Sequence, residues 1–275
     1  MPRVYIAVDM EGLAGVVNQG QLFPGSLDYP HFREIMTGEA LAAVEGARAG
    51  GATEIVVADC HLNADNLIID SFPGDVRVIR GWPRRQFHLA GLDSSFHAVA
   101  LIGFHAPGHS TTGVRAHTFT SAHLTHVSLN GTLVSETVFN AAVAGHHGVP
   151  VVMISGDDVA IAEARATLGD IEAAETKHAL GFHSAASLPP EAARTRIADA
   201  LKRGVERIGD FRPYMIATPI AVEVGFQSYR PTELLGYLRG IERSDARTIR
   251  YQVRDMVEAA DFLMFLTSFE SGLKP

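Results

Sequence analysis

Arg3-Val4-Tyr5-Ile6-Ala7-Val8 is a short apolar, β-branched run that breaks off at Asp9-Met10-Glu11-Gly12. Its length and composition predict a buried strand, and the switch to acids and glycine predicts a loop at its carboxyl end. The same pattern returns twice. Glu54-Ile55-Val56-Val57-Ala58 ends at Asp59-Cys60-His61, and Ala98-Val99-Ala100-Leu101-Ile102-Gly103-Phe104 ends at His105. A helical stretch from about His31 to Ala49, closed by Gly50-Gly51, separates the first two, and Val76-Arg77-Val78-Ile79 is a further candidate strand. Apolar strands alternating with helices predict an α/β fold with a largely parallel sheet flanked by helices.

Outward from this core, residues 106–125 read as a long polar loop, and loops of that length inside compact domains usually carry function or disorder. Asn130-Gly131 marks a hairpin turn. Glu136 opens a helix to about His146, and Val149 to Ile154 is another buried strand leading to Gly156-Asp157-Asp158 and a helix that ends near Gly169. A charged helix from about Pro190 to Ile208 closes a first α/β domain, 1–210, which holds every strand end described above. From Phe211 the alternation restarts, which predicts a smaller C-terminal α/β domain over 211–275.

The chain has 275 residues and a net charge of -8, which argues against nucleic-acid binding. Its one cysteine, Cys60, excludes an intrachain disulfide and fits a reducing compartment. The N-terminus shows no basic segment followed by an apolar stretch, and no apolar run approaches the ~18 residues of a membrane span, so a cytoplasmic protein with no membrane partner is expected. Thirteen histidines, the usual neutral metal ligand and near-neutral acid/base, hint at a site.

Three strand ends deliver that site. Asp9 and Glu11 stand two apart after the first strand, where period-two geometry can point both carboxylates the same way; Asp59 and His61 repeat the spacing after the second, and His105 follows the third. In open α/β sheets ligand sites gather beyond the carboxyl ends of the strands. Carboxylates with imidazoles suit zinc-like ions at about 2.0–2.2 Å, and a pair of ions needs a shared ligand such as a carboxylate. The absence of clustered cysteines argues against a structural zinc site.

The stretches Val8-Asp9-Met10-Glu11-Gly12, Ala58-Asp59-Cys60-His61, Gly103-Phe104-His105-Ala106, Ala116-His117-Thr118 and Glu136 with Asn140-Ala141 closely resemble the D-aminopeptidase family of bacterial dipeptide-transport operons. Similarity continues through Gly156-Asp157-Asp158 and Thr176-Lys177-His178 to Asp255-Met256-Val257-Glu258-Ala259, nearly the whole chain. The resemblance implies a peptidase with two zinc ions per subunit acting on short peptides, D-residues included. It implies Asp9 as the bridging carboxylate, Glu11 as a ligand of one zinc, His61, His105 and Glu136 as ligands of the other, and His117 as the catalytic histidine. It also implies a ring-like homo-oligomer, a homodecamer, with active sites facing an internal chamber. The loop between His105 and His117 is longer here, with Gly108-His109 added, so substrate preference transfers least directly.

Other residues keep two readings. Asp59 either orients an imidazole or caps a turn. Asp157 and Asp158 suit a helix N-cap, with a supporting role at the site open to Asp157. Cys60 alternates away from His61 and reads as core, and Lys177 reads as a solvated charge or as support for the site. The apolar run Phe262 to Leu266 either offers surface to other subunits or covers the second sheet. Two rival functions stand beside the peptidase: a metal-dependent phosphoesterase, which lacks its expected Gly-Asn-His-Asp segment here, and a non-catalytic oligomeric binding protein.

Overall fold

The computed structural model describes residues 2–268. In chain order the elements are β1 (Arg3–Val8), α1 (Tyr29–Ala49), β2 (Glu54–Asp59), β3 (Arg77–Ile79), β4 (Ala98–Phe104), β5 (Leu124–Leu129), β6 (Thr132–Leu133), α2 (Glu136–His146), β7 (Val151–Asp157), α3 (Asp158–Leu168), β8 (Glu172–Gly181) and β9 (Ser184–Ser187). Then follow α4 (Pro190–Glu206), β10 (Ile220–Phe226), α5 (Arg230–Leu235), β11 (Ile241–Arg243), β12 (Thr248–Val253) and α6 (Met256–Ser268). No described helix is long and apolar enough to cross a membrane.

The main sheet has the order β3-β2-β1-β4-β7-β8-β9, parallel from β3 to β8, with β9 antiparallel at the edge. Residues Val4 to Val8 and all of β4 are buried, because helices cover both faces of a central parallel strand and leave no face for polar residues. The chain runs from β1 out to β3 and then returns to the other side of β1 as β4. The order therefore reverses between β1 and β4, the switch point where open sheets leave a crevice at their carboxyl ends.

The second sheet, β11-β12-β10-β5-β6, is antiparallel. Along β10, Ile220, Val222, Val224 and Phe226 are buried while Ala221 and Glu223 are less so, the period-two signature of a sheet with one packed face. Its hairpin, β5 and β6, comes from the N-terminal side of residue 210. We keep the two-domain division at 210 as a proposal in which that hairpin crosses over to complete the smaller sheet. The alternation expected to restart at Phe211 begins with a strand only at Ile220. β9 has no apolar run to announce it, and pairing with β8 alone makes it a strand.

Helix α6 packs on β10 and β12 and also on α2, with Leu263, Leu266 and Met264 buried and Phe265 the exposed member of its apolar run. Most of that run covers this chain's own core. On another face α1 and α4 lie in close contact, and Gly46 is what lets them: a Cβ there would stand 2.3 Å from the Ala198 carbonyl oxygen. Gly46→Ala must push a helix backbone aside, and we expect a loss of ~1–3 kcal/mol of stability, as for overpacked cores. Denaturant unfolding of the variant measures it; an unchanged midpoint would mean that the helices separate freely.

Candidate metal centre

The segment after β1 continues to pair with the end of β4. Asp9 donates its N–H to the Ile102 carbonyl at 2.8 Å and Gly12 to Gly103 at 2.7 Å. This approach needs glycine, since a Cβ on Gly12 would lie 1.9 Å from the Phe104 carbonyl oxygen. Two strand ends thus close on each other and set Asp9 and Glu11 beside His105, all three buried. Below them the Lys177 ammonium, also buried, donates to the carbonyls of Glu11 (2.5 Å), Leu13 (3.0 Å) and Val16 (2.7 Å). Lys177 therefore supports the site by fixing the course of this loop, and burial brings its pKa down to about 8.

His61 follows β2 in a turn organised by Asp59, whose carboxylate accepts from the N–H groups of Asn66 (2.6 Å) and Leu67 (2.7 Å) and from the Asn66 amide (2.8 Å). Asp59 is a turn anchor, and the imidazole of His61 is oriented instead by the Leu22 carbonyl, 2.9 Å from Nε2. Cys60 is core, its thiol pushed up by burial. Glu136 is the first residue of α2, behind the N-cap Ser135, and its Oε1 accepts the Phe119 N–H at 2.6 Å.

His117 reaches the cluster because the loop after β4 doubles back. Pro107 pairs with His117, Gly108 donates to Thr118 Oγ1, Val114 donates to the Asp157 carboxylate at 2.8 Å and Arg115 to the Phe182 carbonyl. Asp157 has two jobs, since its other oxygen accepts from Ala160 N as the N-cap of α3. The His117 ring, partly exposed, lies stacked on His105 with centroids 3.9 Å apart.

Each of three imidazoles has one nitrogen committed to a backbone carbonyl: His61 Nε2 to Leu22, His105 Nδ1 to Ala106 at 3.0 Å, His117 Nδ1 to Arg115 at 2.8 Å. A carbonyl only accepts, so each of those nitrogens carries a proton and the other nitrogen is left with a bare lone pair unless the ring is charged. Those other nitrogens face carboxylates. His61 Nδ1 is 3.0 Å from Glu11 and 3.3 Å from Asp9, His105 Nε2 is 3.2 Å from Glu136 and 3.6 Å from Asp9, and His117 Nε2 is 3.8 Å from Glu136. His105 Nε2 is buried without a hydrogen-bond partner. Lone pairs aimed at anions repel unless positive charge lies between them, so the cluster calls for imidazolium protons or for cations.

The titration shifts follow the same logic. Burial alone lifts the Asp9 carboxyl, and with Glu11 beside it the value reaches about 7. Burial opposes charge on Glu136 as well, but the His105 imidazolium outweighs it and holds Glu136 at about 2. His61 overlies Glu11 in the same way and holds its carboxyl well down. His105, against burial, rises to about 10 because Glu136 and Asp9 face it. Two sets of ligand-capable atoms lie within 4.8 Å of one another, Asp9-Glu11-His105 and His105-His117-Glu136.

Sequence reasoning left out His88. Its Nε2 stands 3.8 Å from Glu136, and its Nδ1 accepts from the Asn140 amide at 3.0 Å. It lies outside any strand, in a 3-10 turn over Phe87–Leu89, so no periodicity marks it. Together with Asp9, Glu11, His61, His117 and Glu136 it lines a cavity of about 500 Å³.

Residues 2–265 match the family model described as D-aminopeptidase. A curated protein of Bacillus subtilis (strain 168), named D-aminopeptidase, is 28% identical over 266 residues, which cover 96% of either chain. A solved structure described as a Zn-dependent D-aminopeptidase, DppA from Bacillus subtilis, a self-compartmentalizing protease, superposes with a TM-score of 0.93 at 26% identity, over 99% of this chain and 98% of that one.

Proposed function

Because the chain belongs to the D-aminopeptidase family, we propose that it is a dinuclear zinc aminopeptidase that removes the N-terminal residue of short peptides, D-residues included. The observation that carries this reading is the set of imidazole nitrogens that face three buried carboxylates while their partner nitrogens are committed to carbonyls, a donor set that fits zinc once the imidazolium protons leave. The ligand set the resemblance implies, Asp9, Glu11, His61, His105 and Glu136, is the one we carry into this proposal. Asp9 would be shared, Glu11 would serve one ion, and His61, His105 and Glu136 the other; His61 lies against Asp9 and Glu11, and His105 against Asp9 and Glu136, so a chain of contacts through Asp9 joins all five donors.

Bound zinc supplies Lewis-acid polarisation of the scissile carbonyl and acidifies water. The chain's own groups do the rest. The free amine of the substrate, as a neutral nitrogen, would be held at the ion that Glu11 binds. His117 is the catalytic residue: its Nδ1 proton is tied to Arg115, so Nε2 takes the proton from the attacking water and returns it to the departing amine nitrogen. Its own pKa, lowered by burial and by His105, favours the neutral form that accepts a proton near neutrality. The buried floor formed by Lys177 keeps Glu11 in place through the cycle.

We further propose a cytoplasmic homo-oligomer, ten subunits by family likeness. The relative of known structure is self-compartmentalizing, and the exposed apolar side chains Tyr237 and Phe265 offer contact area here.

Elemental analysis and a substrate panel test the proposal together. Zinc-loaded protein is expected to hold two ions per chain and to release free amine from L- or D-dipeptides, while leaving p-nitrophenyl phosphate intact. Phosphate release without amine release would favour the phosphoesterase reading, and neither product would favour a binding protein.

A further inference from the structure

The cavity has an acidic metal end, and the wall that joins it is aromatic. Trp82, Phe87, His88 and Phe119 form a continuous cluster with ring centroids 5.2 Å (Trp82 to Phe87), 4.3 Å (Phe87 to His88) and 5.1 Å (Phe87 to Phe119) apart. The cluster is fixed before any ligand arrives. The Trp82 indole N–H donates to the Leu62 carbonyl, the Arg84 guanidinium covers its ring at 3.9 Å, and Phe119 stands edge-on to buried Phe139 at 5.3 Å. It also abuts the reacting centre: the Phe119 N–H holds Glu136 Oε1 at 2.6 Å, and His88 Nε2 is 3.8 Å from Glu136 Oε2. Leu62 and Met264 extend the apolar surface, and no lysine or arginine is among the described residues lining the cavity.

We infer that this aromatic wall is a specificity subsite for the side chain of the substrate's N-terminal residue, and that it selects large apolar residues, aromatic ones first, over alanine. The inference rests on the aminopeptidase reading. In that reading the free amine and the scissile carbonyl are both held at the metal end, so the residue inside it is the N-terminal one, and its side chain meets the wall that starts at Glu136. An acidic side chain would find no lysine or arginine among the described residues of the lining to pair with. A methyl group would leave preformed apolar surface uncovered, whereas a ring gains area burial and edge or offset contacts with rigid partners. The cavity, about 500 Å³, falls in the range of roughly 300–1,000 Å³ usual for small-ligand sites.

Steady-state kinetics with D- and L-aminoacyl p-nitroanilides of alanine, leucine and phenylalanine test this on zinc-loaded protein. Side-chain discrimination by apolar pockets is worth roughly 10–200-fold, so phenylalanine is expected to exceed alanine by about 10–100-fold in kcat/KM for the accepted enantiomer. In Trp82→Ala and in the milder Phe119→Leu that ratio is expected to fall several-fold. A wild-type ratio near one, or a ratio unchanged in both variants, overturns the inference. Calorimetric binding of phenylalaninamide and alaninamide gives a readout free of turnover, in both enantiomers. If no anilide or peptide is cleaved, the aminopeptidase reading fails by itself. Tighter binding of phenylalaninamide, weakened in Trp82→Ala, then still supports the wall as a subsite, and equal binding of the two amides overturns it.

Discussion

His117→Ala is expected to keep both zinc ions and to lose ~10²–10⁴-fold in turnover, the usual contribution of a general acid/base. His105→Ala is expected to lose turnover together with metal. The physical difference lies in where the two rings stand. His105 Nε2 is buried, has no hydrogen-bond partner and points between Asp9 and Glu136, so removing it takes away a donor that nothing can replace. His117 is stacked above it, partly exposed, with Nε2 no closer than 3.8 Å to Glu136. Yet His117, His105 and Glu136 are near enough together to share an ion. Zinc content of the two purified variants, measured beside their rates on the best dipeptide, separates the roles. Zinc loss in His117→Ala as deep as in His105→Ala would make His117 a ligand, and wild-type turnover in His117→Ala would remove it from the mechanism.

Chelation is the second large effect. Removing zinc is expected to abolish hydrolysis and to lower stability by about 4 kcal/mol for each ion that was held at ~1,000 times its dissociation constant. The loss has a definite pH dependence. In the metal-free chain His105 titrates at about 10 in place of the ordinary 6.5, held up against burial by Glu136. A raised folded value means that its stabilisation is complete below about pH 6.5 and drains away as pH rises toward 10. Asp9, raised by burial to about 7, works in the same direction between its ordinary value and neutrality. Zinc displaces these protons, so its own contribution grows as they become easier to remove. The gap in melting temperature between zinc-loaded and metal-free protein is therefore expected to widen from pH 6.5 to pH 9. A gap that stays constant or narrows over that interval would mean that the cluster holds no cation in competition with these protons.

Much of this site is legible along the chain because strand ends are local features. A run such as Val4 to Val8 must be buried, its end must be a loop, and parallel strands in one sheet bring their carboxyl ends to one edge. That is enough to gather Asp9, Glu11, His61 and His105 from three separate strands, whereas Glu136 and His117 came only through likeness to a family. The helix of Glu136 could be read, but not that its first turn would face the β4 end. The reversal of strand order between β1 and β4 is likewise a matter of topology.

Legible along the chain, then, are the alternation of strand and helix and the chemistry at each strand end. The tertiary structure alone decided which imidazole faces which carboxylate, because that depends on side-chain directions and on carbonyls far away in the chain, such as Leu22 for His61. It alone decided that the 106–120 loop folds back to lay His117 on His105, since its hydrogen bonds run to Asp157 and Phe182, which only packing brings near. It also brought the aromatic wall and His88 to the cavity, Trp82, Phe87 and His88 from a stretch whose turns carry no period and Phe119 from the folded-back loop, so that they converge only through long-range contacts. Local propensity and strand register are written residue by residue; the assembly of a cavity is a property of the packed chain.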